Sequence, residues 1–180
     1  MTARTEPDAS TRRQALALAA ATGAALASRP AAARAASPDR APLDALVAYQ
    51  EEVVVRYERA LSNGPFRDRA TLEQFRRDAG QAAAALRKAL EDAGGKPPPV
   101  PDRATAPPPA DRSRRGYLRD LISAEKAAVA SYYAALQDLE GERHLAGAAA
   151  FMAQAGRRLV VLRDLAGDEL LPSAFETGST

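Results

Sequence analysis

The sequence predicts an all-α protein, a bundle of four helices arranged as two antiparallel hairpins. Apolar residues recur every three or four positions in four stretches, segments rich in Gly and Pro separate those stretches, and the second half of the chain echoes the first. Residues 46–61 align without gaps with residues 121–136, and residues 75–87 align with residues 151–163. Because such an echo reflects a repeated structural unit, we expect one helix pair used twice.

The first hairpin is predicted from helices at about 42–62 and 70–93, both ended by Gly-containing turns. Pro42 suits the first helical residue, because its missing N–H would have no partner there. A short loop between the helices favours an antiparallel pair. The expected inward-facing residues are Leu43, Leu46, Val47, Gln50, Val53, Val54, Tyr57 and Leu61, followed by Leu72, Phe75, Ala79, Ala82, Ala83, Leu86 and Leu90.

The second hairpin is predicted from helices at about 113–139 and 145–166, which end at Gly141 and Gly167. Its only histidine, His144, falls in the polar turn between them and is interpreted as a surface residue. The expected inward-facing residues are Leu118, Leu121, Ile122, Glu125, Val129, Tyr132 and Leu136, followed by Phe151, Met152, Ala155, Leu159, Leu162 and Leu165. A tail at 168–180 is expected to return its apolar residues Leu170, Leu171 and Phe175 to the bundle.

The connection between the hairpins, residues 94–112, contains two Pro-Pro-Pro runs. Such runs favour the polyproline II conformation, which extends ~3.1 Å per residue. In this conformation the 18 residues 96–113 cover more than ~50 Å, whereas a 20-residue helix is about 30 Å long. We therefore expect a crossover that runs the length of the bundle. The alternative is a flexible hinge between two loosely associated hairpins.

Composition and charge exclude several functional classes. The 180-residue chain has no Cys, so it has no disulfide and no thiolate metal site. Its net charge of +2 comes from the first 35 residues, and residues 36–180 carry a formal charge of −1. No basic stripe with interleaved aromatic residues is present, which excludes the usual nucleic-acid surface. With no Cys and one His in a turn, we expect no nucleophile-and-base set.

The N-terminal 1–35 segment is interpreted as an export signal of the twin-arginine type. Arg12 and Arg13 follow a Thr and precede an apolar run that is too short for a membrane span, which needs ~20 residues. Small residues at 33–35 predict cleavage before Ala36. The predicted location is the periplasm, the cell envelope or the extracellular space. The alternative is a disordered tail rich in Ala and Arg.

A polar pair interrupts the apolar stripes at equivalent places. Gln50 aligns with Glu125, and Tyr57, seven residues after Gln50, aligns with Tyr132. Residues seven apart share a helix face. The sequence therefore predicts a polar cluster inside the bundle.

These residues and the long crossover resemble the ferritin-like superfamily, and more narrowly its small exported bacterial members; the resemblance covers residues 41–167. It implies two metal ions, iron or manganese, held by a Glu from each of the first and third helices and a Glu-x-x-His pair from each of the others. Carried over, the first two positions are Gln50 and Glu125. The remaining four positions are Ala79, Ala82, Ala155 and Arg158.

The resemblance therefore implies a degenerate di-metal site, with no cofactor expected and Glu125 the ligand if any metal is kept. A lone carboxylate in an apolar core is costly. We expect the Arg158 guanidinium to compensate it, with Gln50 and Tyr132 as hydrogen-bond partners. The alternative places Arg158 in solvent and Glu125 at a wet edge of the bundle.

Three functions stay open at this point. The first is a non-catalytic binding or structural module, and the second is an iron- or manganese-dependent oxidoreductase that uses Glu125 with Asp78, Glu51 or Glu52. Since Glu51 and Glu52 point off the core face, they are expected to be solvated. The third is an amphipathic bundle that contacts a membrane or a protein through Arg112, Arg114, Arg115 and Arg119. The sequence identifies no partner; it favours neither nucleic acid nor membrane contact beyond the signal, and it leaves a homodimer open.

Overall fold

The computed structural model describes residues 37–67, 69–102 and 109–169. These residues form four α-helices and no β-strand: α1 (Arg40–Asn63), α2 (Arg69–Asp92), α3 (Arg114–Asp138) and α4 (Glu142–Ala166). The prediction of an all-α four-helix bundle is thus confirmed for this part of the chain. The Arg12-Arg13 motif and the apolar residues of the C-terminal tail lie outside the described residues.

Each helix end lies within three residues of the position expected from sequence. The start of α3 is capped by Ser113, whose Oγ accepts a hydrogen bond from the Gly116 N–H at 3.1 Å. Gly167, with φ of 70°, ends α4 in the left-handed conformation that Gly adopts without steric cost. Pro42 lies inside the first turn of α1 and not at its first residue.

The core forms where α1 packs against α2 and α3, and where α3 packs against α4; α2 and α4 contact each other only lightly. Its largest enclosed side chains are leucines and two tyrosines. Several expected core residues are only half-buried at its margin, namely Val54, Phe75, Ile122, Leu136, Phe151, Met152 and Leu165. Alanines such as Ala79 and Ala155 are fully enclosed as well.

Two sequence-based expectations are wrong. Glu51 is buried, because it faces α2 and accepts a hydrogen bond from Arg87 Nη1 at 3.0 Å. Glu52, paired with Arg56, stays 45% exposed. His144 is half-buried and lies against the carboxylate of Asp39. The error at Glu51 arises because the apolar stripe identifies the side of a helix toward the bundle axis and not its flanks against neighbouring helices.

Of the described helices, only α4 combines the length and the mean hydropathy, 1.2 over its best 18 residues, that would allow it to cross a membrane. Within the bundle, 22% of that window is buried. Core helices of water-soluble bundles meet the same two criteria, so length and hydropathy do not distinguish a membrane-spanning helix from a core helix.

Candidate functional site

The five polar residues expected in the core lie together at the centre of the bundle. Gln50 and Tyr57 come from α1, Glu125 and Tyr132 from α3, and Arg158 from α4. None is more than 4% exposed. Gln50 and Tyr57 are seven residues apart, as are Glu125 and Tyr132, so each helix presents its pair on one face.

Glu125 is fully enclosed and accepts three hydrogen bonds. Arg158 Nε donates to Oε1 at 2.6 Å, and Arg158 Nη2 donates to Oε2 at 3.0 Å. The Tyr57 hydroxyl donates to Oε1 at 2.8 Å. The bidentate contact fits the planar guanidinium to the carboxylate, which a lysine could not do.

Gln50 forms the second half of the cluster. The Tyr132 hydroxyl donates to its Oε1 at 2.7 Å, and its Nε2 donates to the backbone carbonyl of Ala79 at 3.1 Å. Gln50 therefore joins three helices. We expected Gln50 and Tyr132 to assist Arg158; instead Tyr57 does so, and Gln50 and Tyr132 bond to each other.

The hydrogen bonds are reciprocal between the two aligned helices. Tyr57 of α1 donates to Glu125 of α3, while Tyr132 of α3 donates to Gln50 of α1. Each tyrosine thus serves the polar residue of the opposite helix. No side-chain nitrogen or oxygen enclosed in the described part of the chain lacks a partner, as a stable buried polar network requires.

The surroundings of Arg158, Tyr57 and Tyr132 shift the pKa values of all three groups away from neutral pH. Burial alone would lower the pKa of Arg158, but the hydrogen bonds and charge of Glu125 raise it above its ordinary value. Burial, reinforced by the charge of Glu125, raises the pKa of Tyr57 well above 10.0. Burial likewise raises the pKa of Tyr132 far above its usual range. At neutral pH the cluster therefore has a charged guanidinium and two neutral phenols.

The donor set does not fit two iron or manganese ions. Such ions take several carboxylate and imidazole ligands, whereas the cluster offers one carboxylate whose two oxygens already accept from Arg158 and Tyr57. Across residues 37–67, 69–102 and 109–169, no three His, Asp or Glu side chains are placed to share an ion. The arrangement is suited to holding helices together, because the hydrogen bonds of the enclosed Glu125 join α3 to both α1 and α4.

A second polar cluster, which was not predicted from the sequence, connects the start of α1 to the junction between α3 and α4. Asp39 immediately precedes α1 and is 3% exposed. It accepts hydrogen bonds from the Glu140 N–H at 2.7 Å and the Gly141 N–H at 3.1 Å, and its Oδ2 lies 2.5 Å from His144 Nδ1. An Asp immediately before a helix is recognisable in the sequence as a possible N-cap. The contact of Asp39 with His144, 105 residues away, could not be predicted, because no local sequence pattern indicates it.

Hydrogen bonds overcome burial in setting the ionisation of Asp39. Burial alone would raise its pKa, but the bonds from His144 and from the two backbone N–H groups lower it below 3.8. Its negative charge also lies at the start of α4, where the helix dipole favours an anion. This cluster therefore fastens the start of α1 to the start of α4. No protein-family model matches the chain, and no curated protein sequence matches it significantly.

Proposed function

We propose that this chain is an exported ferritin-like bundle in which a buried ion pair holds the place of a di-metal centre. Its role is that of a non-catalytic binding or structural module. The observation that carries this proposal is the enclosed, bidentate pair of Glu125 and Arg158, with Arg158 at the position where the family resemblance expects a metal-binding His.

Contacts between helices support the ferritin-like arrangement. Along α1 and α2, Glu51 pairs with Arg87 and Glu58 with Arg76, so sequence positions run in opposite directions. Along α3 and α4, the Glu125–Arg158 pair and the bond from Arg114 Nη1 to the Leu165 carbonyl run in opposite directions too. Both patterns are those of antiparallel hairpins.

The contacts of α1 with α3 support the long crossover. The Phe66 ring, just after α1, lies 6.2 Å from the Tyr117 ring at the start of α3, while the end of α2 lies toward the start of α1. The connection from α2 to α3 must then travel from one end of the bundle to the other. Its first part runs back along α2, since Arg87 Nη1 donates to the Pro98 carbonyl at 2.9 Å.

The replacement of metal by arginine has a simple physical basis. A carboxylate enclosed in an apolar core needs a nearby positive charge and hydrogen-bond donors. A divalent ion supplies charge but needs several ligands, whereas one guanidinium supplies both charge and donors from a single residue. Because Arg158 then compensates Glu125, no metal-binding side chains are needed at 79, 82 and 155, and alanine occupies these positions.

Metal content tests this proposal directly. We expect the purified protein to contain no stoichiometric iron or manganese, and added Fe²⁺ or Mn²⁺ to leave its melting temperature unchanged. The matched variant combines Gln50→Glu, Ala155→Glu and Arg158→His, which restores carboxylates and an imidazole; we expect metal to raise its melting temperature. Stoichiometric metal in the unaltered protein would refute the proposal and favour the oxidoreductase alternative.

The export assignment rests on Arg12 and Arg13. Replacing both with Lys keeps the charge but removes the arginine pair, and should retain an uncleaved precursor in the cytoplasm. Unchanged export of this double variant would rule out the twin-arginine route while leaving the bundle proposal intact.

One observation favours the membrane- or partner-binding alternative, namely the apolar surface of α4. Val160 and Val161 are 37% and 38% exposed, and the helix is long and apolar enough to span a bilayer. Insertion would however separate Arg158 from Glu125 in a low-dielectric medium, which is strongly unfavourable. Co-sedimentation of the purified protein with anionic vesicles tests this alternative.

A further inference from the structure

A groove open to solvent lies between α2 and α4, beside the core cluster. Its volume is about 310 Å³, near the lower end of the ~300–1,000 Å³ range of ligand pockets. The groove exists because α2 and α4 contact each other only lightly. Phe75 and Asp78 of α2 line one wall, and Arg157, Arg158 and Val161 of α4 line the other.

Arg158 brings to this groove a donor that Glu125 does not occupy. Its side chain is 4% exposed, and its Nε and Nη2 donate to Glu125. No residue of the described chain accepts a hydrogen bond from Nη1. Since no enclosed side-chain nitrogen there lacks a partner, Nη1 is not enclosed. Arg158 is among the residues that line the groove, which is the side that we infer Nη1 to face.

The geometry of a guanidinium defines what this donor can bind. The group carries five N–H donors in one plane. Glu125 occupies the edge formed by Nε and Nη2, so the edge formed by Nη1 and the second N–H of Nη2 is left for another acceptor. A planar carboxylate matches that edge with two parallel hydrogen bonds.

The other groups of the groove balance its charge. Arg157 is exposed and forms no ion pair within the described ranges. Asp78 accepts a hydrogen bond from Gln74 Nε2 at 2.7 Å and likewise forms no ion pair there. The groove lining thus includes two guanidinium groups and the carboxylate of Asp78, and Glu125 lies behind Arg158. This balance suits a ligand that is neutral overall but carries one positive and one negative charge.

We propose that the groove between α2 and α4 binds an α-amino acid as its zwitterion. The ligand carboxylate meets the free edge of Arg158 together with Arg157, and its ammonium group meets Asp78. Its side chain contacts Phe75 and Val161, the apolar residues of the groove. This inference rests on the proposed role as a binding module and gives that role a ligand class.

Inorganic anions fit the same groove less well. Phosphate would meet the two arginines but would also face the carboxylate of Asp78, and like charges at close range repel. It would also leave the apolar side chains of Phe75 and Val161 uncovered. An amino acid satisfies both charges and can cover these apolar side chains.

Two-dimensional amide NMR on the full chain tests the inference. Each of the twenty protein amino acids is titrated separately, and we expect at least one to give saturable shifts centred on Asp78 and Arg157. For that amino acid, the analogue lacking the amino group and the analogue lacking the carboxyl group should each bind about tenfold more weakly, since each loses a charge-assisted contact.

Two substitutions outside the enclosed network provide the matched variants. Asp78→Asn and Arg157→Gln should each weaken binding about tenfold, while the control Asp92→Asn, at the exposed end of α2, should leave it unchanged. Because neither side chain contacts Glu125, both variants should fold. The inference is overturned if none of the twenty amino acids shifts the groove, if Asp78→Asn has no effect, or if inorganic phosphate binds there as tightly. These results leave the metal content unaffected, so they are distinct from a failure of the proposed function.

Discussion

The Glu125–Arg158 pair places two opposite charges inside the apolar core. Removing two charges from water is expensive, and their attraction offsets this cost only with good geometry and further hydrogen bonds. Here the bidentate contact and the Tyr57 hydroxyl provide both. The pair should therefore contribute more to holding a defined packing of α3 and α4 than to net stability.

A double-mutant cycle measures this coupling. We expect Arg158→Leu alone to lower the free energy of unfolding by about 3–5 kcal/mol, because it leaves Glu125 enclosed without a counter-charge. The combined Glu125→Leu and Arg158→Leu variant should lose less than the Arg158→Leu variant. Urea denaturation followed by circular dichroism gives all four values of the cycle.

The background of the cycle needs one control. Glu125→Leu also removes the acceptor of the Tyr57 hydroxyl, and an unpaired buried hydroxyl costs about 1–3 kcal/mol by itself. The cycle is therefore repeated in a Tyr57→Phe background. A coupling near zero in both backgrounds, with each single change below about 1 kcal/mol, would mean that the pair behaves like a surface ion pair.

The sequence predicted which residues form this cluster better than it predicted which of them hydrogen-bond to each other. Gln50 and Glu125 were identifiable because a polar residue within an apolar stripe is expected in the core. Arg158 was identified only through the family resemblance, as the residue at the position of a metal-binding His. The expectation that Tyr132 would hydrogen-bond to the Glu125–Arg158 pair was wrong, because which hydroxyl reaches which acceptor depends on the axial offset of two helices. Periodicity specifies a face and leaves that offset undetermined.

Asp39 acts between helices although it precedes one of them. Its side chain makes no cap on α1 and instead accepts from the N–H groups where α3 gives way to α4. The start of α1 is thereby fastened to the start of α4. His144 was expected at the surface, because a residue assigned to a turn has no periodic pattern from which burial can be predicted.

Asp39→Asn tests this connection through its pH dependence. Because the folded pKa of Asp39 lies below its unfolded value, its contribution is complete above pH ~4 and is lost as pH falls through the folded pKa. We expect the variant to lose about 1–3 kcal/mol at pH 7, and its difference from the unaltered protein to shrink below pH ~4. The control is Asp44→Asn, on the exposed face of α1, which should cost under about 0.5 kcal/mol. Equal losses at pH 7 and pH 3 would contradict the assignment.

Two glycines within helices should respond oppositely to the same substitution. A Cβ at Gly116 would collide with the backbone carbonyl of Asp111, whereas one at Gly147 meets nothing within 4 Å. We expect Gly147→Ala to stabilise α4 by about 0.5–1 kcal/mol, since Ala costs less backbone entropy. Gly116→Ala should destabilise the protein by more than ~1 kcal/mol, because the start of α3 must shift. Thermal melts compare them, and stabilisation by Gly116→Ala would show that this close approach is absent.

The four helices themselves were predictable, because each has a long apolar periodicity bounded by Gly or Pro. The distance between α2 and α4 was not predictable. Both helices carry alanine along their inward faces, as at Ala82 and Ala155, and small side chains permit either close contact or a gap. The groove beside Arg158 results from the gap, so its existence could be learned only from the structure.

The connection from α2 to α3 provides the last test of the whole arrangement. If the helices form two hairpins as proposed, residues 93–113 must travel the length of a 24-residue helix, which is about 36 Å. Deleting residues 97–109 leaves residues 93–96 and 110–113, which reach at most ~29 Å at ~3.6 Å per residue. We therefore expect the deletion to abolish the native bundle, seen as loss of the cooperative thermal transition and exposure of apolar surface.

A matched variant separates reach from composition. Replacing residues 97–109 with Gly and Ser residues of equal number retains the reach and removes the stiffness of the proline runs. It should fold, with a lower melting temperature, because a more flexible connection has more entropy to lose on folding. A deletion variant with unchanged helicity and melting temperature would require a short path from α2 to α3. That outcome would place the start of α3 beside the end of α2 and would rule out the long crossover, and with it the main structural support for a ferritin-like bundle.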